Sequence, residues 1–141
     1  MRITASLDYR GGFTLFNSGG NFLCGQTDYC AAKSDPTASL FEQARQVAAN
    51  FSNPKTQYGY YEKGDAWRLR EISAVLRLPR GFAERMRATD ADLQLGARNL
   101  KVWTKYTGQD PEANYSQGDV QQDFLTTAPR KYYTARINLR F

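Results

Sequence analysis

The sequence predicts an all-β fold, an antiparallel meander of about four long strands with two long loops, one of which holds a short helix. Three observations predict it. The chain closes on RKYYTARINLRF, where Tyr133, Ala135, Ile137, Leu139 and Phe141 alternate with Thr134, Arg136, Asn138 and Arg140. That is the period-two pattern of a strand with two unlike faces. Nine Tyr and eight Phe stand against only two Met, and aromatic side chains suit strands. A single segment carries helical signals, so no helical layer is available to cover a sheet.

The first strand is expected near residues 2–16. Ile3, Ala5, Leu7 and Tyr9 share one face, with Thr4, Ser6, Asp8 and Arg10 on the other. Gly11 and Gly12 permit a bend before Phe13. Residues 18–63 form a long connection that opens on Gly19-Gly20. Its helical piece begins at Ser39, with Glu42 in the capping-box position, and places Leu40, Ala44 and Val47 on one side. The second strand, near 64–79, changes phase at Arg70-Glu71, where a bulge fits, and ends at Pro79. RGFAERMR is a short connection of about one helical turn. The third strand, near 88–106, alternates through Ala91, Leu93, Leu95 and Ala97 and changes phase at Asn99-Leu100. Residues 107–129 are a second, polar loop, and the fourth strand is expected near 130–141.

Composition narrows the function. The absence of histidine removes the commonest general base and metal ligand. The net charge of +5 is carried by scattered arginines rather than a basic run, so nucleic-acid binding is not expected. The N-terminus MRITASLDYRGG has no apolar core of a signal peptide, and no run approaches a membrane-spanning helix. Strands cross membranes without such a run.

The layout of connections, long then short then long, is the asymmetry of an outer-membrane barrel wall. Each strand is long enough to cross a bilayer at a tilt. The apolar faces are moderately hydrophobic and rich in Ala, and the polar faces mix Arg, Asp, Gln and Asn, as lipid on one side and a wet lumen on the other require. A soluble all-β binding or adhesion module, whose alternation faces a dry core, is the rival reading.

Six stretches carry a resemblance: DYRGGFTLFN, the paired cysteines, DPTASLFEQARQVA, WRLREISAVLRLP, GARNLKVWTKYTGQDPEAN and DFLTTAPRKYYTARINLRF. In this order they resemble the C-terminal part of SusC/RagA-type TonB-dependent outer-membrane transporters. The resemblance implies a strip of barrel wall, loops on the outer side and a C-terminal assembly signal at Tyr133, Ile137, Leu139 and Phe141. It implies no catalytic residue and no cofactor. The implied partners are the remainder of the barrel and its plug, TonB, a SusD-like lipoprotein, the barrel-assembly machinery and outer-membrane lipid. The implied cargo is a nutrient, glycan or peptide. Four strands cannot close a barrel, which needs about eight, so the chain is expected to be a fragment of such a transporter.

Cys24 and Cys30 are the candidate disulfide, with free thiols and a metal site as the alternatives. Asp110, Glu112, Asp119 and Asp123 are read as solvated loop charge rather than a calcium site. Tyr60, Tyr61, Trp67, Trp103 and Tyr106 are candidate interfacial rings or ligand contacts.

Overall fold

The computed structural model describes residues 1–27 and 29–141. The chain divides into two compact units. One comprises Met1–Tyr9, Trp67–Trp103 and Pro129–Phe141, and the other comprises Arg10–Ala66 and Thr104–Ala128.

The first unit is a sheet of four strands: β1 (Arg2–Arg10), β4 (Ala66–Arg77), β5 (Asp90–Thr104) and β8 (Tyr132–Arg140), in the order β1-β4-β5-β8. Adjacent strands are antiparallel. Between β5 and β8 the register runs from Asp90↔Arg140 to Arg98↔Tyr132. It sets Ala91, Leu93, Leu95 and Ala97 opposite Leu139, Ile137, Ala135 and Tyr133. The intervening pairs are Asp92↔Asn138, Gln94↔Arg136 and Gly96↔Thr134. One face is therefore apolar and the other polar along the whole ladder. The apolar face lies open: Ile137 is 56% exposed and Tyr133 75%. The outer edges of β1 and β8 have no partner strand among the described residues.

β4 turns into β5 through the helical turn α4 (Arg80–Arg85). The helix follows Pro79, which cannot continue the ladder. It closes with Arg87 in the left-handed region at φ 55°. There Arg87 N donates to Glu84 O and Ala88 N to Ala83 O, the two bonds that satisfy a helix C-terminus. A small cluster of Ala83, Ala88 and Ala91, with Leu78 and Leu139 against it, packs this end.

The second unit differs from the long polar loops that the sequence suggests. It contains α1 (Ser18–Gln26), α2 (Ala31–Ser34), α3 (Leu40–Asn50) and a second sheet of four three-residue strands. These are β2 (Thr14–Phe16), β3 (Tyr61–Lys63), β6 (Tyr115–Gln117) and β7 (Val120–Gln122), in the order β3-β2-β7-β6. β2 is not an extension of β1. After Gly12, at φ 83°, the chain pairs Thr14–Phe16 with Tyr61–Lys63 in this separate sheet. β6 and β7 form a hairpin with Gly118 at φ 60°, a turn position that favours glycine.

α1 forms despite Gly19 and Gly20 because Asn17 caps it. The Asn17 side chain accepts from Gly20 N at 2.7 Å, and Gly19 N donates to Asp123 at 3.2 Å. A Cβ at Gly20 would sit 2.7 Å from Asn17 Oδ1, so a bare backbone is required there. α3 begins at Ser39, whose hydroxyl accepts from Glu42 N at 3.2 Å. It buries Gln46 and Ala49 and leaves Leu40, Phe41 and Val47 exposed. Phe16, Cys24, Cys30, Ala49 and Tyr60 make the core of this unit. No helix among the described residues is long and apolar enough to cross a membrane.

Candidate functional site

The two faces of the sheet can be assigned ring by ring. Tyr9 packs on Trp67 with ring centroids 5.0 Å apart. Asp8, on the opposite face of β1, accepts from Arg70 Nε at 2.7 Å. Trp67 thus lies on the apolar side and Arg70 on the polar side. Ile72 then returns to the apolar side, where it lines a shallow hollow with Leu95, Ala97, Tyr133 and Ala135. Trp67 and Ile72 are five positions apart, so β4 carries one extra residue at Arg70-Glu71.

The same device appears opposite in β5. Arg98 and Asn99 are consecutive, yet both line a pocket of about 580 Å³ on the polar face with Arg70, Glu71, Tyr132 and Thr134. Asn99 adopts φ 53°, which its short polar side chain tolerates, and its amide donates to Arg130 O at 3.1 Å. Beyond this point the alternation resumes one step shifted. Lys101 and Trp103 therefore fall on the polar side, with the Lys101 ammonium 5.3 Å from the Trp103 ring centre. On the polar side Arg98 Nε donates to Glu71 Oε2 at 3.1 Å, and the Asn138 amide donates to Asp92 at 2.8 Å.

The candidate aromatic residues consequently separate. Trp67 is on the apolar face and Trp103 on the polar face. Tyr61 sits in β3 with its ring 5.0 Å from that of Phe16. Tyr60 and Tyr106 are buried within the second unit, at 0% and 5% exposure, whereas the expectation places them at a surface. The Tyr60 backbone carbonyl accepts from Asn17 N at 2.8 Å, and the Arg45 guanidinium lies 4.7 Å from its ring centre, which locks it into the second unit's core. Burial pushes both phenols above their ordinary values.

Cys24 and Cys30 are joined as a disulfide with Cα atoms 4.8 Å apart, linking α1 to the start of α2. Tyr133, Ile137 and Leu139 line the apolar side of β8. Phe141 follows the last ladder residue and is 85% exposed.

Sequence reasoning missed the polar centre of the second unit. Glu62 accepts from Thr107 N at 2.7 Å and Thr107 Oγ1 at 2.6 Å. It also accepts from Arg45 Nη1 at 2.8 Å and Asn17 Nδ2 at 3.1 Å. Arg45 in turn holds Glu42 at 2.6 Å. Burial pushes the Glu62 carboxyl up, but these donors outweigh it and hold the group below the ordinary carboxylate value. The one local clue is the Glu42-Arg45 spacing on α3. The contacts to Glu62 span 17 to 45 residues of sequence, beyond the reach of any motif.

No family model matches the chain, and no curated protein matches it. Solved structures do. A chain of the RagAB peptide transporter is 25% identical and superposes with a TM-score of 0.64, covering 97% of this chain and 15% of that one. Chains of the RagAB peptide importer in its closed-closed and open-open states are each 24% identical, with TM-scores of 0.62 and 0.61. They cover 97% and 99% of this chain. The chain spans about 15% of the length of the importer chains it matches. The likeness extends over both units and shows that the chain shares the fold of a segment of those chains.

Proposed function

We propose that this chain is a strip of wall, with its outer loops and assembly signal, of a TonB-dependent outer-membrane transporter of the SusC/RagA type that takes up glycan or peptide. One observation carries the reading. The sheet presents Leu95, Ile137 and Tyr133 uncovered and Leu93 half-buried on one face and Asp92, Gln94, Arg98 and Arg136 on the other, with open edges at β1 and β8 among the described residues. A soluble sheet buries its apolar face. A barrel strip turns that face to lipid, its polar face to a wet lumen and its edges to further strands. The likeness to peptide-importer chains supports the same reading.

In this reading Tyr9 and Trp67 belong to the interfacial belt, where amphipathic rings are favoured. The second unit is a folded loop assembly on the outer side, where an oxidising compartment maintains Cys24–Cys30. Tyr133, Ile137, Leu139 and Phe141 form the strand end that the barrel-assembly machinery recognises. The remaining wall and plug, TonB and a SusD-like lipoprotein complete the device, and no residue of this chain is catalytic.

Fractionation tests the proposal. Produced in frame with the rest of its barrel, the protein should be recovered in the outer membrane. It should need detergent to leave that membrane and should migrate on gels differently before and after boiling. A monomer of this chain that is stable in plain buffer and melts cooperatively would overturn the reading in favour of a soluble module.

A further inference from the structure

The paired bulges create a feature that a plain barrel wall does not need. Arg98 stands directly opposite Tyr132 on the polar face. Its Nε is held by Glu71 at 3.1 Å, and among the described residues no other hydrogen bond or ion pair engages it. The inner edge of the guanidinium is thus fixed, while the outer edge, its two Nη groups, remains available in a side chain that is 64% exposed. A guanidinium oriented in this way is preorganised for bidentate capture of a planar oxyanion. The floor beside it is closed by a small polar contact: Gly96 faces Thr134, whose hydroxyl lies over it and donates to Gly96 O at 3.4 Å, so a Cβ there would sit 2.7 Å from Thr134 Oγ1.

We propose that this pocket binds a carboxylate on a short peptide, with Arg98 as the bidentate anchor, Glu71 as the residue that positions it, and Tyr132 as the surface for the neighbouring side chain. A peptide fits better than a neutral sugar, because the fixed guanidinium edge discriminates a carboxylate from an amide or hydroxyl. The inference rests on the transporter reading above, and its test separates the two.

The test uses the intact protein in detergent, after its outer-membrane recovery and heat-modifiable migration have been established, and two blocked pentapeptides, Ac-Ala-Ala-Asp-Ala-Ala-NH2 and its Asn counterpart. Calorimetry should give at least about tenfold tighter binding of the Asp peptide, as one charge-assisted bidentate pair provides. Arg98→Gln should abolish that preference and leave the Asn peptide unchanged. Arg98→Lys, which keeps charge without the fork, should retain only part of it, and Glu71→Gln should reduce it. A shift in migration on boiling that equals the wild type's in each variant excludes misfolding. Equal binding of both peptides by the wild type, no binding of either, or a preference that survives Arg98→Gln overturns the carboxylate site while membrane recovery still upholds the transporter reading. Binding of a trigalacturonate probe with neither peptide bound overturns the peptide assignment.

Discussion

Glu62 and Thr107 lie 45 residues apart, yet the Thr107 backbone N–H and hydroxyl both donate to the Glu62 carboxylate, at 2.7 and 2.6 Å. This pair joins the segment after β1 to the segment after β5. Arg45 and Asn17 complete the shell, so the second unit is organised around one charged acceptor rather than around a large apolar core. Glu62→Ala would leave the Arg45 guanidinium, 8% exposed, with Glu42 as its remaining carboxylate. Removing one partner of a buried, hydrogen-bonded charge pair costs about 3 kcal/mol. Hydrogen exchange at Tyr61–Lys63 and Thr107 should accelerate accordingly in Glu62→Ala, and less in Glu62→Gln, which keeps an acceptor oxygen.

The same carboxylate makes the second unit acid-sensitive. Its pKa in the folded chain lies below the ordinary value of 4.5. Between those two values the unfolded chain binds more protons, so stability rises with pH there. The contribution is complete above about 4.5 and is lost as pH falls through the folded value. Limited proteolysis of residues 10–66 by an acid-active protease should therefore quicken below that pH. Glu62→Gln should flatten the profile, and an unchanged acid profile in that variant would refute the assignment.

What the sequence revealed and what it concealed have separate physical causes. Alternation in β5 and β8 is legible because each face meets one environment over many residues, and the phase changes at Arg70-Glu71 and Asn99-Leu100 mark where the ladder takes an extra residue. α3 is legible from Ser39 and Glu42 because a cap is a local interaction. α1 is hidden because Gly19 and Gly20 oppose a helix on intrinsic propensity, and the local Asn17 cap is joined by a tertiary contact, Gly19 N to Asp123, that the sequence does not show. The second sheet is hidden because its strands are three residues long and β2 meets β7 through the single pair Phe16↔Gln122. Tyr60 and Tyr106 look like surface aromatics because nothing local tells a buried ring in a polar segment from an exposed one. In the candidate pocket, Arg98 was legible as a polar-face residue, whereas its bond to Glu71 depended on the opposing bulge.

The disulfide ties α1 to α2 across a short loop. Cys24 and Cys30 are separated by 6 positions, and closing so small a loop removes unfolded-state entropy worth about 2 kcal/mol. Cys24→Ser with Cys30→Ser should lower the stability of the second unit by that amount. Dithiothreitol should reproduce the loss in the wild type and add nothing in the double variant, as read by hydrogen exchange of α1.

The two faces of β8 should respond oppositely to the same charge. Ile137, opposite Leu93 on the apolar face, should not tolerate arginine. If this face meets lipid as proposed, Ile137→Arg should cost up to about 2–4 kcal/mol. Asn138→Arg places the same side chain on the polar face beside Asp92, 2.8 Å from the present amide, and should change stability by no more than about 0.5 kcal/mol. Urea titration of the heat-modifiable band in detergent measures both. Equal tolerance at the two positions would contradict a lipid-facing apolar side.

Phe141 separates folding from assembly. It lies beyond the last β8 residue, Arg140, and is 85% exposed, so its ring contributes little packing. Phe141→Ala should leave the urea midpoint of protein already in the membrane within about 0.5 kcal/mol of wild type. If the strand end is the feature that the assembly machinery recognises, the same substitution should lower the membrane-inserted fraction in cells several-fold, with the remainder degraded or aggregated. Tyr133→Ala, on the same face of β8 but within the ladder opposite Ala97, should show both defects. Full insertion of Phe141→Ala at wild-type rate would show that the terminal ring is an ordinary strand end.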